Sequence, residues 1–274
     1  MPVREVNGVK VWQQRDRGTA IRQWLLWMAG TLLFVVCWQL ISAGTRWEFV
    51  LDAPQQAGEF FRRMFPPRWS YLNQLWKPLW DTLNIATLGT IMSVIIAFPL
   101  AFLAASNTTP HPLVRTVVLL IIVTSRSVNS LIWALMLVAI LGPGILAGVI
   151  AIGLRSIGFV GKLFYEAIEE TYDEPVEAIR ATGASRLQVL SYALLPQVLP
   201  SFAGVSVFRW DINIRESTVI GLVGAGGIGI SLNASVNALR WDQASLIFVI
   251  IFLVVLLSEW VSAKVRQSII WGFG

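Results

Sequence analysis

The stretch 165–196, YEAIEETYDEPVEAIRATGASRLQVLSYALLP, separates two long apolar runs, Ile145 to Phe164 before it and Pro196 to about Ile220 after it. A run of about 20 apolar residues crosses a bilayer as a helix. The stretch itself is too charged to lie in lipid, so it is a polar loop between two membrane spans. Its own pattern is that of a folded knob. Asp173-Glu174-Pro175 is a helix-start signal with proline near the first turn. Glu177 to Thr182 gives a short run of good helix formers, and Gly183 supplies the sharp change of direction after it. Arg186 to Leu195 restarts a helix, and Pro196 closes the loop and opens the next span.

Outward from this loop the chain repeats the same theme. Of its 274 residues 55% are hydrophobic and 14% charged, well below the roughly 25% charge of a soluble domain. Further spans are expected over about 24–42, 81–105 (with Pro99 inside), 113–141 and 244–265, which with 145–164 and 196–220 makes six. The expected fold class is an all-α membrane protein. Residues 1–23 are a polar, basic tail and 266–274 a second tail. Segment 43–80 is polar and aromatic. Within it Ala53 to Phe65 forms an interfacial helix that carries Phe60, Phe61, Met64 and Phe65 and is stopped by Pro66-Pro67. Asn107 to Pro112 is a turn, Gly142-Pro143-Gly144 a tight break, and 221–242 a glycine-rich polar segment.

Composition also excludes functions. The net charge of +5 comes from basic residues that flank spans and meet lipid headgroups, and no Lys/Arg run with interleaved aromatics suggests nucleic acid. The 13 tryptophans suit interfacial belts. Cys37 and His111 are the single cysteine and histidine, too few for a zinc or haem site. No segment has the form of a cleavable signal peptide.

The loop Glu177-Ala178-Ile179-Arg180-Ala181-Thr182-Gly183, nine residues, Ala193-Leu194-Leu195-Pro196 resembles the EAA loop of ABC-importer permeases. It departs from that pattern at Ile179 and Ala193, both still apolar. The resemblance implies a type I ABC-importer permease fold, with a knob that docks on a separate ATPase. Glu177, Ala178, Arg180, Gly183, Leu195 and Pro196 are the expected coupling residues. It also implies topology. Basic residues number five in 1–23 (Arg4, Lys10, Arg15, Arg17, Arg22) and five in 44–77 (Arg46, Arg62, Arg63, Arg68, Lys77). Lys264 and Arg266 tip the balance slightly toward cytoplasmic termini. An ATPase lies in the cytoplasm, so the loop 165–195 and both termini are expected there, and 43–80 and 221–242 outside.

A second resemblance covers roughly 60–265. The run from Arg215 to Gly229, Phe65-Pro66-Pro67, Gly158-Phe159-Val160-Gly161-Lys162-Leu163 and Ile179 to Ala184 are similar to the phosphonate-import permease family, which includes phosphite importers. That family implies a bacterial inner-membrane homodimer of permeases surrounded by lipid, two copies of an ATPase that carries the ATP and Mg, and an external phosphonate- or phosphite-binding protein. The chain itself is expected to bind no cofactor and to catalyse nothing. Gly224, Gly226, Gly227 and Gly229 satisfy G-x-G-x-x-G, but a membrane helix precedes them where a dinucleotide site needs a strand, and no Lys-Ser/Thr follows. Close backbone packing at an external gate is the expected role.

Ionisable residues within spans are costly and usually functional. The fifth span carries Arg209, Asp211, Arg215 and Glu216. At 100° per residue Arg209, Asn213 and Glu216 share one face, while Asp211 and Arg215 stand nearly opposite at ion-pair spacing. One face lines a pathway and the other ties the helix into the bundle, or all four are internal pairs. Arg126, with Ser127 and Asn129, forms a polar island in the third span that suits a water-filled path. Arg155 in the fourth span is either a path residue or paired, for example with Asp211. Guanidinium groups match tetrahedral oxyanions well, so the expected cargo is phosphonate or phosphite. The alternatives are an ABC importer for another small solute, or a gradient-driven secondary transporter, which predicts an inverted repeat that the halves do not show. An intramembrane enzyme would need a paired nucleophile and base.

Overall fold

The computed structural model describes residues 3–6, 8–12 and 17–272. They form two compact units, residues 1–59 and 60–274. The first unit opens with an antiparallel hairpin of β1 (Val3–Val6) and β2 (Val9–Trp12), in which Val3 pairs with Trp12. This hairpin is an addition to the all-helical expectation. Helix α1 (Arg17–Gly44) follows, so the first span begins before residue 24 and part of the expected tail is helical. Apolar side chains cover α1 on all sides, as a helix facing lipid requires.

Helix α2 (Trp47–Met64) crosses from the first unit into the second. It starts six residues before the expected Ala53 and carries Pro54 in its interior. Its Phe60 meets Trp241 edge-on at 4.6 Å.

The second unit is a helical bundle. Helix α3 (Leu72–Ala104) starts nine residues earlier than the expected span, so the last part of the polar segment expected over 43–80 is helical. The third span is not one helix. Helices α4 (Pro112–Ser127) and α5 (Ser130–Leu141) meet at 88°. Apolar periodicity runs through both and hides the bend. Its cause is local: Val128 and Asn129 are extended, and the Asn129 side chain accepts the Leu131 N–H to start α5. Helix α6 (Ile145–Glu169) follows, then α7 (Asp173–Ala181) and α8 (Arg186–Val189). A wide π-turn, Leu190–Leu194, leads directly into α9 (Leu195–Ile220). The chain then runs through α10 (Ile228–Asn237) to α11 (Trp241–Gly272), which absorbs most of the expected C-terminal tail. Among the described residues five stretches, in α1, α3, α6, α8–α9 and α11, are long and apolar enough to span a membrane, and the bent pair α4–α5 makes six if it is one broken span.

Small residues let the central helices close up. Gly153 of α6 lies against Met92 and the Gly89 carbonyl of α3, and Gly158 of α6 lies against the Ile122 carbonyl of α4. Near the knob, Phe164 stacks on Phe202 with centroids 3.8 Å apart, within a core that includes Ala97, Ala101 and Val198.

Candidate functional site

Two features of the second unit carry chemistry: the knob and a layer of buried ions. In the knob α7 ends at Ala181 with Thr182 as its cap, and Gly183 takes the left-handed conformation (φ +81°) that reverses the chain. Ser185 then starts α8 with a reciprocal cap: its hydroxyl accepts the Gln188 N–H, and Gln188 Oε1 accepts the Ser185 N–H at 2.8 Å. Val176, Val189 and Ala193 form a small apolar core with Ile179 and Ala184 packed on it. Both departures from the family pattern, Ile179 and Ala193, thus sit inside the knob, where an apolar side chain is what counts. Glu177, Ala178 and Arg180 are exposed, and so are Tyr172, Leu187 and Tyr192, three large side chains that spacing alone did not single out.

The knob is tied to the bundle. Gln197 Oε1 accepts the Tyr172 N–H at 3.0 Å, and its amide nitrogen donates to the Ala193 carbonyl at 2.8 Å. Pro196 stands at the start of α9 as expected, but the helix restarted at Arg186 runs into it without a break. A proline ring clashes with the carbonyl four residues back, and the π-turn before it widens the helix there without breaking it. From Arg186 to Val223 the chain is one helical rod. Leu195 is partly buried against the bundle core and Pro196 is exposed.

The ionic layer lies farther along that rod. Arg209 Nη2 is 3.4 Å from Glu216 Oε2, and Arg155 Nη1 of α6 bonds Glu216 Oε1. Arg155 is therefore paired with Glu216, not with Asp211. Asp211 is held by Arg215 on its own helix and by Ser258 of α11, whose hydroxyl donates to it at 2.6 Å. From Arg209 a relay of neutral groups crosses the bundle. Arg209 Nε donates to Ser156 Oγ (2.9 Å), Ser156 Oγ to Asn213 Oδ1 (3.2 Å), and Asn213 Nδ2 to Thr90 Oγ1 (2.8 Å). Arg209 also lies over the Phe159 ring at 5.0 Å. Asn213 is fully buried and Arg209 is 2% exposed, so these two side chains serve to join α3, α6 and α9.

The partly open charges are Arg155, Glu216 and Arg215, with side chains 31%, 15% and 47% exposed. Arg126 is exposed at the end of α4, its backbone nitrogen packed on Gly158, and has no side-chain partner among the described residues. Ser127 bonds the Thr124 carbonyl and Asn129 is spent as the α5 cap. Ser156, Thr90 and Ser258, which complete the network, are common buried residues that no pattern distinguishes.

The glycine-rich run packs closely within the chain. Gly224, Gly226 and Gly227 have positive φ, and a side chain on Gly229 would stand 2.1 Å from the Thr218 carbonyl. Thr82 of α3 accepts the Ile228 N–H at 2.8 Å and seats the start of α10.

Residues 59–267 match the family model described as binding-protein-dependent transport system inner membrane component. The phosphite transport system permease protein PtxC of Stutzerimonas stutzeri is 42% identical over 238 residues, 86% of this chain and 85% of that one. The phosphate-import permease protein PhnE of Mycolicibacterium smegmatis is 39% identical over 221 residues, 81% of this chain and 42% of that one. A solved structure of the inward-facing MetNI methionine ABC transporter matches in fold with a TM-score of 0.64 at 20% identity, over 74% of this chain and 99% of that one.

Proposed function

We infer the function from one premise: this chain belongs to the family of binding-protein-dependent transport system inner membrane components. It is the transmembrane permease subunit of an ABC importer, and we propose that its cargo is a small phosphorus oxyanion: phosphite, a phosphonate or phosphate. The names of its relatives and the arginines of α4, α6 and α9 support that cargo class. In this reading two copies of the chain work with two cytoplasmic ATP-binding subunits, which hold the ATP and Mg, and with a periplasmic binding protein. The knob and both termini lie in the cytoplasm of a bacterium, and the glycine-rich segment faces the periplasm as the outer gate.

The observation that carries the proposal is the continuous rod from Arg186 to Val223. The knob sits at one end, and Arg209, Asp211, Arg215 and Glu216 sit toward the other. Movement of the ATPase pair displaces the knob, and the rod carries that displacement to the charged layer, which opens to alternate sides. Guanidinium groups attract the oxyanion, while neighbouring carboxylates keep the site from holding it. Tight selection among anions belongs to the binding protein.

Co-purification tests the assembly. The chain brings down its soluble ATP-binding subunit, and Glu177→Ala or Gly183→Val releases it. Retention of the subunit by both variants would remove the knob from the coupling role.

A further inference from the structure

The ionic layer is unbalanced: one carboxylate, Glu216, serves two guanidinium groups, Arg155 and Arg209. A surplus cation inside a membrane bundle is costly without a counter-charge. We propose that Glu216 is the resident counter-anion of the cargo site. It occupies Arg155 while the site is empty, and the passing oxyanion takes its place there. This rests on the cargo class proposed above.

The two arginines differ in a way that fits such an exchange. Arg209 is fixed by Ser156 and the Phe159 ring and is 2% exposed, so it is part of the wall. Arg155 has a side chain 31% exposed and, among the described residues, bonds only Glu216, through one of its nitrogens. A guanidinium has five N–H donors, so most of those on Arg155 remain for another ligand. A carboxylate and a phosphorus oxyanion offer a guanidinium the same paired oxygens, and either can satisfy Arg155 in turn. Asp211 cannot serve, because Arg215 and Ser258 hold it on the other side of α9. A displaced Glu216 keeps its charge close by and repels the anion, which favours release.

Thermal unfolding of the assembled transporter tests this, with sodium phosphite titrated against sodium chloride at matched ionic strength. In Glu216→Gln the arginines lack their counter-anion, and phosphite raises the unfolding temperature by several degrees, far more than in the native protein. The rise disappears in the double variant Arg155→Gln, Glu216→Gln. If Glu216→Gln does not assemble, Glu216→Asp keeps the charge but shortens its reach, and shows the same dependence. An unfolding temperature indifferent to phosphite in the assembling variant, while native vesicles import the anion on ATP, overturns the exchange and leaves the cargo class intact. Native vesicles that import no phosphorus oxyanion overturn both.

Discussion

Arg215 and Asp211 form an ion pair one turn apart on α9, and they are unequally placed: the arginine side chain is 47% exposed and the aspartate 5%. Removing the two partners therefore has unequal consequences. Arg215→Ala leaves a buried carboxylate with only the Ser258 hydroxyl, a loss of about 3 kcal/mol by the usual cost of orphaning a buried charge. Asp211→Asn keeps an acceptor for Ser258 and frees an arginine that already reaches out, at about 1 kcal/mol or less. Denaturant unfolding of the two variants gives the order, and the pair of substitutions together is milder than Arg215→Ala alone.

The reversal at Gly183 makes a conformational prediction. Space around it is open, with no heavy atom within 4 Å of the position a Cβ would take, but its φ of +81° disfavours most side chains. Gly183→Asn is tolerated at about 1 kcal/mol or less, because asparagine visits this conformation. Gly183→Val is not, and it distorts the knob. Retention of the ATP-binding subunit and cargo-stimulated ATPase activity separate them: close to native for Asn, both lost for Val.

Gly158 and Gly204 make a contrasting pair. A Cβ on Gly158 would stand 2.4 Å from the Ile122 carbonyl oxygen and 2.7 Å from the Arg126 nitrogen, whereas one on Gly204 meets nothing within 4 Å. Gly158→Ala forces α4 and α6 apart, at a cost of about 1–3 kcal/mol. Gly204→Ala, in regular helix, gains about 0.5–1 kcal/mol. Unfolding temperatures of the purified chain check both signs.

Arg126 has no side-chain partner among the described residues. Arg126→Gln therefore leaves stability within about 0.5 kcal/mol and ATPase assembly unchanged. If it lines the path, the rate of oxyanion import falls. Normal import removes it from the path.

The spans and the knob were legible because their signals are local: apolar runs, a glycine reversal, and a proline at fixed spacing. The ion pair Asp211–Arg215 was legible for the same reason, since helical spacing alone brings the two together. The bend between α4 and α5 was not, because Asn129 reads as part of the polar island with Arg126 and Ser127, and apolar periodicity continues across it. The partner of Arg155 was not legible either. It depends on how α6 rotates against α9, which Ser156, Asn213 and Thr90 set through contacts distant in sequence. The continuity of the helix into α9 was not legible, because nothing in the residues before Pro196 announces the π-turn that accommodates its ring.

Import into sealed vesicles tests most directly whether ATP energy enters at the knob and reaches the anion layer through α9. Vesicles holding this chain, its ATP-binding subunit and its binding protein are given labelled phosphite or phosphonate. Accumulation should require ATP and both partners, and should vanish with Gly183→Val. Accumulation that persists without the ATP-binding subunit, or that follows an imposed ion gradient, would contradict it.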